Sequence, residues 1–176
     1  MNFGRLCGLG MIDEKKYIEE MQAGIRAAFD EMAAKHPDVL IYSISIWTDE
    51  KAKKSAVSFD TFENSEAKCR SANEALQKMR DEFGSAGIDF KVPPDMKRND
   101  NPADFEFRKV AVIYNTSLDA QLHFDQAAWD ILERLLEQIK QWAAIESRRL
   151  NLHPDAELGV SGRRTWYGST VRIRMS

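Results

Sequence analysis

The chain has 176 residues, 43% of them hydrophobic and 30% charged, with a formal net charge of −3. That length suits one domain, and it is enough to bury a core without metal or disulfide support. The composition excludes a disordered chain, the apolar runs are too short for a helical membrane span, and the charge balance argues against a generic nucleic-acid binder.

Residues 1–11 read as a loose extension, too poor in apolar residues for a signal peptide, and 12–176 as a single domain. A helix is expected from Asp13 to Lys35, where Tyr17, Met21, Ile25, Ala28, Phe29 and Met32 recur at steps of three and four. Asp13 can cap its start and His36-Pro37 ends it.

Val39–Thr48 alternates with period two, and Ser55–Thr61 follows after a polar turn, so the two should form an antiparallel hairpin. A second helix is expected over Ser65–Gly84, capped by Asn64 or Ser65, with an apolar stripe of Ala72, Ala75, Leu76, Met79 and Phe83. Lys91–Asp104 holds three of the five prolines and reads as a long loop.

Phe105–Asn115 and Ala120–Phe124 read as a second hairpin, and Asp125 as the cap of a long helix running to Arg149. A broad apolar stripe on that helix (Trp129, Leu132, Leu136, Ile139, Ala143) suits burial against a sheet. Asn151–Gly162 reads as a loop and Thr165–Met175 as a last strand. The expected fold class is therefore α+β, in the order α-ββ-α-ββ-α-β. An antiparallel sheet of four to five strands would carry its helices on one face.

The charge is unevenly spread. Residues 146–176 hold six arginines and three acids, whereas 1–145 hold 19 bases and 25 acids. The arginines and aromatics of Gly162–Gly168 suit an edge strand paired with the acidic body, a protein interface or single-stranded nucleic acid.

Only Cys7 and Cys69 are present, which points to a reducing compartment, and neither has ligand-spaced partners for zinc. No phosphate loop, HExxH or GxSxG occurs, and no cofactor or metal is called for. His123 shares a strand phase with Gln121 and Asp125, and Ser43, Ser45, Ser58 and Asp60 could lie across the same face. Acid–base chemistry by His123 with Asp60 or Asp125 is one reading, and an ordinary polar strand face is the other.

Leu40–Asp49 followed by Ser55–Thr61, with the helix around Ala75–Phe83 and the span Lys109–Phe124, resembles small bacterial α+β proteins of the YezG-like immunity type. The resemblance covers about Ile12 to Asp125 and rests on element order and texture. It implies a cytoplasmic antitoxin that neutralises a cognate toxin, often a nuclease, by steric blocking. On that reading the contact residues are expected on the polar sheet face and its rims: Trp47, Asp49, Asp60, Glu63, His123 and Asp125. The alternatives are an enzyme built on His123 and, third, a nucleic-acid binding domain built on the arginine-rich C-terminus.

Overall fold

A computed structural model of the chain describes residues 12–49, 51–87, 93–118, 125–162 and 170–173. The elements are α1 (Glu14–Lys35), β1 (Ile41–Thr48), β2 (Lys54–Thr61), α2 (Phe62–Ser85), β3 (Phe107–Tyr114), α3 (Gln126–Glu146), a 3-10 turn (Ser147–Arg149), β4 (Leu152–Ser161) and β5 (Thr170–Arg172). No described helix is long and apolar enough to cross a membrane.

The strands form one sheet in the order β3-β2-β1-β4-β5. Neighbours are antiparallel except β1 and β4, which run parallel. The sheet is therefore mixed, which corrects the expectation of a purely antiparallel one.

The correction traces to one segment. Leu152–Ser161, expected to be a loop, is a central strand. Its Pro154, Asp155, Glu157 and Gly159 give it the composition of a loop, but Ala156, Leu158 and Val160 alternate and are buried. Pro154 is tolerated because the pairing is interrupted there. Ile41 pairs with Leu152 and Ser43 with Glu157, so 153–156 bow out opposite Tyr42 alone. The expected strand Ala120–Phe124, with His123, lies outside the described residues, as does most of Thr165–Met175. Among the described residues the order is α-ββ-α-β-α-ββ.

Register divides the sheet into two faces. Ile44, Ile46, Val57, Phe59, Leu158 and Val160 point to the inner face. There they join Tyr17, Met21, Ile25 and Phe29 of α1 and Trp129, Leu132 and Ile139 of α3 in one core. The periodicity of α1 is realised in full, since all six of its expected apolar positions are buried. Asp13 caps α1 by accepting from the Lys16 N–H, and Asp125 caps α3 by accepting from the Ala128 N–H.

The approach of α1 to β3 is set by Gly24. A Cβ built there would stand 2.3 Å from Ile113 Cγ1. Gly24→Ala gains helix propensity but forces the helix off the sheet, and the clash outweighs the gain. The variant should lose about 1–3 kcal/mol in urea unfolding.

The helix α2 departs from expectation. Thr61, rather than Asn64 or Ser65, is its cap and accepts from the Asn64 N–H. It buries only Ser65 and Cys69, while Met79 of the expected stripe is exposed and Leu76 half-buried. None of its side chains belongs to the inner core. Its first turns instead meet the outer face, through Asn64 to Asp60 and through Ser65 to Asn99. Helices thus do not all lie on one face as expected.

Candidate functional site

Ser43, Ser45, Trp47, Ala56, Ser58, Asp60, Glu157, Gly159 and Ser161 occupy the outer face. It has two zones, one roofed and polar, the other open and apolar.

The segment 93–106 roofs the first zone. Arg98, only 8% exposed, lies where β1 and β4 lose their ladder. Its Nη1 donates to the Tyr42 carbonyl at 2.7 Å and its Nη2 to the Asp155 carbonyl at 2.6 Å. Its Nε stands 3.7 Å from the Glu157 carboxylate, and the guanidinium stacks 3.6 Å over the Tyr42 ring. One side chain thus satisfies two main-chain acceptors that the bulge has released. Tyr42, Phe62 and His153 close the end of this zone, with the Phe62 and His153 rings stacked 4.8 Å apart.

Asp60 is fully buried beside it. Its carboxylate accepts from Asn64 Nδ2 at 2.6 Å, Asn99 Nδ2 at 2.9 Å and the Glu106 N–H at 3.1 Å. Burial pushes this carboxyl above its usual range, against the lowering effect of those donors. Asp60 is therefore a structural acceptor that ties the loop and α2 to β2, with its oxygens already occupied.

Asp60→Asn would turn an NH2 group toward amide donors and should cost about 1–2 kcal/mol at neutral pH. Wild-type Asp60 holds its proton more tightly folded than unfolded. The proton-linked part of its contribution is complete below the unfolded carboxylate value and declines as pH rises through the raised folded value, apart from the hydrogen bonds that its oxygens accept. Unfolding free energies measured across that window should lose this slope in the variant.

Cys69 lines a cavity of about 270 Å3 with Tyr42, Phe62, Ser65, Glu66, Arg70 and Lys97. Burial pushes its thiol up, with Asp100 and Asp60 adding to the effect, so the group stays protonated and a poor nucleophile.

The second zone is open. Ser161, Trp47, Ala56 and Val112 form one row across β4, β1, β2 and β3. Trp47 is 43% exposed, Val112 36% and Tyr114 67%. Tyr114 faces Lys54, whose ammonium sits 5.7 Å from the ring. These are three of the five large hydrophobic side chains that are exposed among the described residues, and all three lie on this face.

Beside the row is a cavity of about 610 Å3. Its floor is Trp47, Ala56 and Ser58, its far wall Asn101, Pro102 and Ala103, and its near rim Arg108 and Lys109. Consecutive strand residues normally point to opposite faces. Here β3 bulges, because Val57 pairs with Ala111 and Phe59 with Phe107. Lys109 takes a left-handed φ of 52° and its N–H donates to Ser58 Oγ at 3.0 Å. The bulge brings both basic residues to one cavity.

The six expected contact residues do not form one patch. Trp47 belongs to the open zone, with Asp49 next to it in the hairpin turn. The Asp49 carboxylate accepts from the Lys51 and Lys53 N–H groups and shapes that turn. Asp60 is buried under the roof, and Glu63 is exposed in the first turn of α2, at the opposite end of β2. Asp125 caps α3, the helix packed on the inner face. His123 lies outside the described residues.

Arg98, Asn99, Arg108 and Lys109 were not anticipated. The first two sit in a stretch rich in Asn, Asp and Pro that reads only as loop. The two on β3 become neighbours in one cavity only through the bulge.

Of the arginine-rich tail, Arg149 pairs with Asp30 of the acidic body, whereas Arg172 on edge strand β5 pairs with Asp155, an acid of the tail itself. Among the described residues no cluster of His, Cys, Asp and Glu could hold a metal ion. No family model, no curated protein and no solved structure matches the chain.

Proposed function

We propose that this protein is a binding domain of the immunity type, which neutralises a toxin inside the cell by docking on it across the open zone of its outer sheet face. The supporting observation is the exposed row of Trp47 and Val112 with Tyr114 beside it, next to a sizeable cavity. Most of a sheet face is normally covered or polar, and an uncovered aromatic and aliphatic strip rimmed by charge is the texture of an interface. Trp, Tyr and Arg are also the residues that most often anchor protein contacts. The resemblance of the hairpin and its flanking helix to YezG-like immunity proteins supports the same reading.

The enzymatic alternative loses one of its two proposed carboxylates as a free group, because Asp60 is buried and fully hydrogen-bonded. Cys69 as a buried free thiol agrees with a reducing compartment.

Expression of the neighbouring gene's product, with and without this chain, tests the proposal. The product alone should arrest growth, and co-expression should restore growth and yield a complex that co-purifies. A harmless product, or a toxic one that neither binds nor is relieved, would overturn it.

A further inference from the structure

We infer that the cavity beside Trp47 receives an acidic protein segment carrying an apolar anchor residue. The inference rests on the docking reading above and adds the chemistry of the partner.

The chain as a whole is acidic, but the rim of this cavity is basic. Arg108 and Lys109 are both exposed, and neither makes an ion pair among the described residues. Lys51 and Lys53 extend the same sign along the hairpin turn next to Trp47, and Lys54 lies over Tyr114. The nearby acids are already engaged. Asp104 is held by Asn101 Nδ2 at 2.7 Å, Glu106 accepts from the Thr61 hydroxyl, and Asp49 accepts main-chain N–H groups. Arg108 Nη1 donates to the Ala103 carbonyl at 3.3 Å, and two cations that no carboxylate holds among the described residues, at an apolar pocket, are complementary to carboxylates flanking a hydrophobic side chain.

The backbone adds a second, independent point. A lysine with positive φ costs free energy that a glycine would not, and such strain persists where the surroundings hold it for use. The strain at Lys109 has a visible consequence, which is to place Lys109 on the same cavity as Arg108, with its main-chain N–H on Ser58 Oγ. The anchor site is equally defined. Trp47 offers a half-exposed indole, and Ala56 beside it and Pro102 and Ala103 of the loop add apolar surface. A cavity of about 610 Å3 holds an aromatic or branched aliphatic side chain together with its neighbours.

Single-stranded nucleic acid is the competing class, since aromatics beside cations also suit it. Among the described residues the cations here sit on an acidic chain and are interleaved with Asp49, Asp104 and Glu106, unlike the unbroken basic track that a phosphate backbone follows.

The test is an NMR titration of the full 15N-labelled chain with three probes: blocked peptides Glu-Glu-Phe-Glu-Glu and Lys-Lys-Phe-Lys-Lys, and an eight-nucleotide oligo-dT. The acidic peptide should shift the Trp47 indole N–H and the amides of Ala56, Ala103 and Lys109 in a saturable way. The double variant Arg108→Glu, Lys109→Glu should weaken it at least tenfold. Equal or tighter binding of the lysine peptide or of oligo-dT at these residues, or no shift with any probe, overturns the inference.

The two proposals fail separately. If the toxin complex survives the charge reversal but not Trp47→Ala, the docking face stands and the acidic segment falls. If the acidic peptide binds as described but no toxin complex forms, the functional reading falls and the site chemistry stands.

Discussion

Arg98→Ala should lower the unfolding free energy by about 3–5 kcal/mol, as breaking a buried charged group out of its partners does. Several groups are stranded at once. The Tyr42 and Asp155 carbonyls lose their donors, Glu157 loses its cation, and the Tyr42 ring loses the guanidinium stacked on it. Neither carbonyl can return to a regular ladder, because the bulge between β1 and β4 is built into the chain at 153–156. Arg98→Lys keeps the charge but not the planar fork, so it should recover less than half of the loss. Urea unfolding monitored by far-UV circular dichroism measures both variants. A loss below about 1 kcal/mol for the alanine variant would mean that the roof is dispensable.

Trp47→Ala should have the opposite profile. Trp47 is nearly half exposed in the free chain and outside the inner core, so its removal should change stability by less than about 1 kcal/mol. As an aromatic anchor at the centre of a docking face it should cost about 2 kcal/mol or more in partner affinity, roughly a thirtyfold rise in Kd. Calorimetric titration against the toxin, beside the same urea unfolding, separates the two effects. Arg98 and Trp47 lie on one sheet face, yet one should act on folding and the other on binding. That difference follows from where the segment 93–106 ends its cover.

Much of this architecture is legible in the sequence where periodicity is strong. In α1 the steps of three and four name the buried face, and in β1 the alternation of Ile44 and Ile46 with Ser45 and Trp47 separates the two faces. The phase that placed Trp47 with the serines is the phase that leaves it exposed. The caps at Asp13 and Asp125 follow from side-chain chemistry alone.

What escaped depends on long-range pairing. The strand β4 hides behind Pro154 and Gly159; Gly159 pairs regularly, and the cost of Pro154 is absorbed by a bulge that β1 and Arg98 make tenable. Asp60 belongs to the polar set by strand phase, but nothing local says that Asn64, Asn99 and the Glu106 N–H converge on it. The stripe of α2 is amphipathic in sequence, yet the helix is held by Ser65, Asn64 and their polar partners at its first turns. The basic pair of the cavity depends on a left-handed Lys109, a conformation that sequence alone gives no reason to expect of lysine.

On the proposed reading, a partner docks on the open zone around Trp47 and Val112. A bulky label at a single engineered cysteine tests it most directly. In a chain with Cys7 replaced by serine, Val112→Cys would carry the label on the exposed row, and Ala33→Cys would carry it on the exposed side of α1, away from the sheet. Affinity for the toxin is then measured before and after labelling. Labelling at position 112 should abolish binding, and labelling at position 33 should leave Kd unchanged within a factor of two. Full binding with position 112 blocked would contradict it.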